Sequence, residues 1–280
     1  MIVFPKAKIN LGLRITGRRP DGYHDIETVF YPVSLCDALE FVADSKEPGK
    51  DTINLSGSEI PGRMEDNIVL RAVRRLRETY PVPYLKIHLH KNIPSGAGLG
   101  GGSSDAAFIL RAVNRAFSLA LSSDDLKAIA SGLGSDCSFF IDCQPAFASG
   151  RGEILTPVNA VLDNYYGVLV NPGISVSTRE AYENCKPSKP ENSLAELIKN
   201  PVSEWKNTII NDFEKTVIVT HPQIKDIKQT LYNCGAIYSS MSGSGSTVYG
   251  IFSKRPLIPS DLRKFVIFEG SLSTISDPVK

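Results

Sequence analysis

Charge of one sign is what this chain of 280 residues lacks: 31 Lys and Arg stand against 30 Asp and Glu, a net charge of +1. Without a basic or acidic excess there is no electrostatic footprint for a nucleic-acid partner or an anionic membrane surface. Cysteine is sparse too. Cys36, Cys137, Cys143, Cys185 and Cys234 are odd in number and lie at no metal-ligand spacing, so they read as buried thiols of a reducing compartment rather than a disulfide framework. No long hydrophobic run occurs. The apolar opening from Met1 to Gly12 is interrupted by Lys6 and Lys8 and reads as neither a secretory segment nor a membrane span. Internal repeats and low-complexity tracts are missing as well. The length suits two ordinary domains or one large one, and 42% hydrophobic residues can fill a globular core.

Glycine, by contrast, is concentrated. Gly96, Gly98, Gly100, Gly101 and Gly102 fall within Pro94, Ser95, Gly96, Ala97, Gly98, Leu99, Gly100, Gly101, Gly102, Ser103 and Ser104. Glycines lose much backbone entropy on ordering, so such a cluster marks a chain that must approach a ligand or take φ > 0. Upstream, Leu85, Ile87 and Leu89 alternate with Lys86, His88 and His90, the period of a half-exposed strand. Downstream, Ser103, Ser104 and Asp105 suit a helix cap and first turn, and Ala106, Leu110, Val113 and Phe117 form one apolar stripe. A strand, a glycine loop and a helix N-terminus together make an anion site suited to phosphates. It is not a Rossmann loop, because Asp124 and Asp125 open another helix instead of ending a strand. Ser103 after Gly102 excludes a Walker loop, and the protein-kinase motifs are missing.

The first strand places Ile9, Leu11, Leu13 and Ile15 on one face and Lys8, Asn10, Gly12 and Arg14 on the other. Taken alone, Lys8 reads as a solvated edge residue. Pro20-Asp21-Gly22 is a turn that displays Tyr23 and His24, a pair equally suited to a planar ligand or to packing. Strands follow over 26–33, 39–43 and 52–55, the last two separated by a polar loop from Asp44 to Asp51. Asp66 or Asn67 caps a helix with Val69, Val73, Leu76 and Tyr80 inward and Arg71, Arg74, Arg75 and Arg77 outward, a solvated face rather than an RNA surface. Ser122 or Ser123 caps the next helix. Asp136, between a glycine turn and an apolar run, is a cap or a partly buried base. A strand pair surrounds Gly150 and Gly152, with a boundary near Glu153. The second half predicts a strand over 167–170, a short Ser177-capped helix with Thr178 and Tyr182, and helices over 204–217 and 223–233. A strand over 237–241 then meets Ser242, Gly243, Ser244, Gly245 and Ser246 and returns over 247–252, as a hairpin turn or a second anion site. Strands and helices mix in both halves, which predicts two α+β domains.

These segments resemble the superfamily of galactokinase, homoserine kinase, mevalonate kinase and phosphomevalonate kinase. Three signatures appear in order: the N-terminal lysine strand, the PxxxGLGGGSS loop and the C-terminal SGSGxT loop. AKINLGL (Ala7 to Leu13), RPDGYH (Arg19 to His24), GSDCSFF (Gly134 to Phe140), NPG (Asn171 to Gly173), NDFE (Asn211 to Glu214) and MSGSGST (Met241 to Thr247) make the chain similar to the branch acting on a cytidylated methylerythritol. The match spans nearly the whole chain. After Phe252 it departs, with the usual helix shortened to about Ser260 to Lys264. The resemblance implies a two-domain α+β small-molecule kinase fold. An ATP-binding and catalytic domain would cover 1–153, and a ferredoxin-like substrate-binding domain 154–280. It also implies transfer of the ATP γ-phosphoryl to the C2 hydroxyl of the cytidylated alcohol, in non-mevalonate isoprenoid precursor biosynthesis. On the matched positions Asp136 takes the hydroxyl proton, and Lys8 depresses that carboxyl's pKa and neutralises developing charge. Asn10 orients the substrate, and cytosine lies between Tyr23 and Tyr182 with its polar edge toward His24. Mg²⁺ would bridge the phosphates, with Ser104 a candidate ligand and no matching Glu. The expected protein is a cytoplasmic monomer or weak homodimer without nucleic-acid or membrane partners. Two alternatives stay open: a sibling kinase for homoserine or mevalonate, and an idle nucleotide- or RNA-binding module. RPDGYH speaks against the first, and Lys8 with Asp136 against the second.

Overall fold

Three four-stranded sheets organise the described residues. The computed structural model describes residues 1–44, 49–159, 161–183 and 185–274, so part of the loop from Asp44 to Asp51 lies outside the described residues. In the first sheet the order is β1 (Ile2–Val3), β4 (Ala38–Ala43), β6 (Leu85–Lys91), β5 (Thr52–Gly57), antiparallel except for β5 beside β6. β6 keeps the expected alternation, burying Leu85, Ile87 and Leu89 and exposing Lys86, His88 and His90. The buried face packs into one core with α1 (Ile68–Arg77), α2 (Gly101–Ala116), α3 (Ser123–Ser131) and α4 (Phe139–Asp142). Asn67 caps α1 by accepting from Val69 N at 2.9 Å, and Ser122 caps α3 in a reciprocal box with Asp125.

Two features of α2 differ from the sequence expectation. It begins at Gly101, after a left-handed Gly100, and not behind a Ser103 cap. A side chain at Gly100 would press on the Phe140 ring and the Lys8 stem, so only glycine brings the chain into the helix here. The helix is also buried from Ser104 through Leu110, not along one stripe, because α1, α3, α4 and the first sheet enclose it.

The second sheet runs β2 (Lys6–Arg18), β3 (His24–Cys36), β7 (Ala146–Ser149), β8 (Ile154–Pro157), all antiparallel. β8 pairs with β7, so the chain leaves this sheet only after Pro157. Sequence alternation suggested one open face for β2, yet Lys8 and Asn10 are 3% and 2% exposed. The glycine loop covers Lys8, and Thr28 and Ser242 enclose Asn10, while segments from the second half cover the opposite face of the strand. Ala7, Ile9 and Leu11 share a core with Trp205, Ile209, Tyr238 and Tyr249. A register shift at Gly12, φ +68°, then sends Leu13 and Ile15 into another core with Phe213, Val217 and Ile224.

The third sheet is β10 (Tyr238–Met241), β11 (Val248–Phe252), β9 (Tyr166–Val170), β12 (Val266–Ser271), again antiparallel. β12 was not legible in the sequence: a bulge between Val266 and Phe268 breaks its alternation, and its side chains are only half-buried. Helices α5 (Thr178–Glu183), α6 (Leu194–Leu197), α7 (Trp205–Thr208), α8 (Glu214–Thr220), α9 (Pro222–Asn233) and α10 (Ser260–Arg263) complete the second half. The single helix expected over 204–217 is broken between α7 and α8. There Leu13 N donates to Ile210 O at 2.9 Å and Asp212 N to Leu13 O at 2.8 Å, so β2 takes backbone groups that a helix would have used.

Candidate active site

Lys8 and Asn10, two positions apart on β2, project to the same side. Lys8 Nζ donates to Asn10 Oδ1 at 2.5 Å and to Gly98 O at 3.1 Å, and lies 3.5 Å from Asp136 Oδ2. Thr28 on β3 fixes Asn10: Asn10 Nδ2 donates to Thr28 Oγ1 at 2.9 Å, and that hydroxyl donates to Gly12 O at 2.6 Å. Burial pushes the Lys8 ammonium below its ordinary pKa, while Asp136 pulls it back up. Asp136 stands on the turn before α4 with its side chain 31% exposed, so the carboxylate reaches open space that the ammonium does not.

The two glycine loops form one body. A side chain at Gly98, φ +77°, would collide with Ser242 O. Ser242 Oγ donates to Gly98 O at 2.8 Å, Thr247 N reaches Ala97 O at 3.3 Å, and Lys8 N reaches Leu99 O at 3.0 Å. Cavities open on both sides of this body. One, about 640 Å³, is lined by Pro94 to Gly98, Gly100 to Ser103 and Asp105, opposite the apolar Leu55, Ile60, Met64 and Ile68. The other, about 870 Å³, is lined by Lys8, Asn10, Tyr23, His24, Asp136, Arg151, Tyr182, Phe213, Gly243 and Ser244 among others. Gly96, Gly98 and Gly100 face both. Leu99 and Ser104 are buried outside the two cavities, as are Ser242 and Gly245, and the Ser104 hydroxyl has no hydrogen-bond partner.

The aromatic residues gather in the larger cavity. His24 stacks on Tyr182 with centroids 5.1 Å apart, and Phe213 meets the Tyr182 ring edge-on at 4.8 Å. The Arg151 guanidinium lies over Tyr23 at 4.9 Å. Burial pushes the Tyr182 hydroxyl up to about 12, so that phenol stays protonated.

Sequence reasoning missed several residues that build the site. Thr28 looks like any β-branched strand residue, and Arg151 was marked only by its flanking glycines. Lys91, at the end of β6, is 3% exposed and pairs with Asp37 and, at 2.7 Å, with Asp105, directly beneath Gly101. Burial pushes the Asp105 carboxyl up to about 8, with Lys91 opposing and Asp37 reinforcing the shift. Among the described residues no three His, Cys, Asp or Glu side chains group as a metal site. No helix among them is long and apolar enough to cross a membrane.

A backbone cradle for phosphates that separates an apolar pocket from a pocket holding a carboxylate and an ammonium has the layout of a small-molecule kinase. Family models for the GHMP kinases N terminal domain and the GHMP kinases C terminal match residues 67–150 and 191–265. The chain is 53% identical over 253 residues to a 4-diphosphocytidyl-2-C-methyl-D-erythritol kinase of Bacteroides fragilis, covering 90% of this chain and 92% of the relative. It is 50% identical to one of Azobacteroides pseudotrichonymphae, covering 92% and 96%. A crystal structure of 4-(cytidine 5'-diphospho)-2C-methyl-D-erythritol kinase superposes with a TM-score of 0.75 at 30% identity, over 97% of this chain and 98% of that one. The chain belongs to the 4-diphosphocytidyl-2-C-methyl-D-erythritol kinase family of the GHMP kinases. The fold extends further: Methanococcus jannaschii mevalonate kinase, 14% identical, has a TM-score of 0.65 over 94% of this chain and 92% of its own.

Proposed function

We propose that the protein transfers the γ-phosphoryl group of ATP to the C2 hydroxyl of 4-diphosphocytidyl-2-C-methyl-D-erythritol, in non-mevalonate isoprenoid precursor biosynthesis. One observation carries the reading: the same three glycines face both cavities, with Lys8 and Asp136 3.5 Å apart beside them. ATP lies in the smaller cavity, its base against Leu55, Ile60 and Ile68 and its phosphates along the backbone N–H groups of residues 96–103. The alcohol enters from the larger cavity. Asp136 accepts the hydroxyl proton as the hydroxyl oxygen bonds to the γ-phosphorus and the bond from that phosphorus to the β-phosphate oxygen breaks, ADP being the leaving group. The Lys8 ammonium offsets the negative charge that gathers on the transferring group. Phosphoryl transfer leaves little covalent work to a protein, so alignment and charge carry most of the rate. Asn10, fixed by Thr28, keeps Lys8 aimed and contacts the substrate.

Tyr23, His24 and Tyr182 form the cytosine site, with Arg151 at its edge. Mg²⁺, when bound with ATP, would screen the phosphate charge; the Ser104 hydroxyl, fully buried outside both cavities, does not fit it as a ligand. ATP binding then belongs to residues 1–153, while the alcohol lies between that part and 154–280. The near-zero net charge argues against a nucleic-acid partner, and five cysteines at no disulfide or metal spacing support a reducing, cytoplasmic setting.

A coupled assay of ADP release tests this reading with four alcohols: the cytidylated methylerythritol, methylerythritol phosphate, homoserine and mevalonate. ADP release only with the first is the expected result. Turnover of homoserine or mevalonate with none of the cytidylated alcohol would overturn it.

A further inference from the structure

The NDFE segment, Asn211 to Glu214, touches neither reacting group. It nevertheless sits where three parts of the site meet, running from the gap after α7 into the first residue of α8. Asn211 is 2% exposed, and its carboxamide is fully used: Nδ2 donates to Met241 O and to Gly243 O, both at 2.8 Å, while Oδ1 accepts from Phe213 N at 3.0 Å. Asp212 Oδ2 accepts from Ile15 N on β2 at 3.0 Å. Phe213 backs the Tyr182 ring. Glu214 Oε1 accepts from Met241 N at 2.7 Å and Ser240 Oγ at 2.8 Å, and its other oxygen pairs with Lys228 at 2.5 Å. Four consecutive side chains thus fasten the second glycine loop, the lysine strand, the aromatic cluster and β10.

The consequence runs through Gly98. Its carbonyl accepts from Ser242 Oγ at 2.8 Å and from Lys8 Nζ at 3.1 Å. Ser242 lies between Met241 and Gly243, the two carbonyls that Asn211 holds. We infer that Asn211 is a positioning residue for phosphoryl transfer: its two amide hydrogens set the second glycine loop against Gly98 and so fix the Lys8 ammonium. This rests on the kinase reading above. A displacement of about 1 Å in a reacting group lowers turnover by a factor on the order of 100, so a brace one shell behind Lys8 acts on kcat more than on binding.

Asn211→Asp keeps the shape and removes both donors. The expected result is a kcat reduced tenfold or more, with KM for ATP and for the cytidylated alcohol within about threefold of the parent. Hydrogen exchange at 95–100 and 242–247 should accelerate in the protein without substrates. Lys228→Met is the comparison, because it loosens the same segment from α9 and leaves the Asn211 amide intact; it should lower Tm without changing kcat. If Asn211→Asp does not fold, Asn211→Ser, which keeps one donor, should show the same pattern to a smaller degree. A kcat within twofold of the parent in a folded variant, or exchange that quickens only within 205–220, overturns the inference. Because the exchange readout needs no alcohol, a wrong substrate leaves it standing, and a wrong brace leaves the parent's ADP release untouched.

Discussion

At the scale of single residues, the site depends on one ammonium kept dry and one carboxylate kept half wet. Lys8→Met and Asp136→Asn conserve volume while removing the charge each supplies. Each should lower kcat by roughly 10²–10⁴-fold with Tm within a few degrees of the parent. The double variant should be little worse than either single one, since the two groups act as a unit. Steady-state kinetics beside thermal melts check this, and retention of near-parental kcat by either variant removes that residue from the mechanism. A second buried cluster titrates instead of reacting. One lysine, Lys91, faces two carboxylates, and Asp105 holds its proton up to about pH 8, far above an ordinary aspartate. The folded state therefore binds this proton more tightly than the unfolded chain does. Stability from this source is complete below about pH 4 and is lost as the pH rises through about 8. Asp105→Asn removes the titration, so the melting temperature of the variant minus that of the parent should rise between pH 5.5 and 8.5. A difference that stays flat with pH would show that Asp105 is not the titrating group.

Among the elements, the glycine loop separates two reasons for glycine. Gly96 and Gly98 both have positive φ, +65° and +77°. A Cβ on Gly96 meets nothing within 4 Å, whereas one on Gly98 runs into the Ser242 carbonyl. Gly96→Ala should lower stability by only about 1–2 kcal/mol, the strain of a left-handed alanine. Gly98→Ala should push the two loops apart, with a larger fall in Tm and a loss of kcat through Lys8. Denaturant melts of the two variants decide it, and equal effects would mean that the loops are not in contact. This contrast also marks what a sequence can show about elements. The loop was legible from composition, β6 from its alternation, and α1 and α3 from their caps, because each signal is local. The start of α2 was not, since Gly100 is required by Phe140 and Lys8, which come from distant parts of the chain. The break between α7 and α8 was hidden for the same reason: its helical pattern is overridden by β2 taking the backbone bonds of Ile210 and Asp212.

For the whole molecule, the question is whether two halves or one body carries the site. Lys8 looked like a solvated lysine because its strand was read without the glycine loop, Phe30 and Asp136 that enclose its side chain. The opposite face, Ile9 and Leu11, is covered by segments of the second half. The larger cavity draws Tyr23 and His24 from the first half and Tyr182 and Phe213 from the second. The core around Ile9 and Leu11 is completed by Leu194, Trp205, Tyr238 and Tyr249. Each half therefore leaves an apolar strand face open without the other, and burial of such a face is the main favourable term in folding. The protein should unfold in one cooperative step. Trp205 makes this measurable, being the single tryptophan of the chain and fully buried in the shared core. Its fluorescence should change at the same denaturant concentration as the far-ultraviolet circular dichroism. A polypeptide of residues 1–157 expressed alone should be aggregated or unfolded. If the fluorescence transition came first and substantial helix and sheet signal survived it, the halves would be independent domains, and Ile9 and Leu11 would owe their burial to docking instead of to folding.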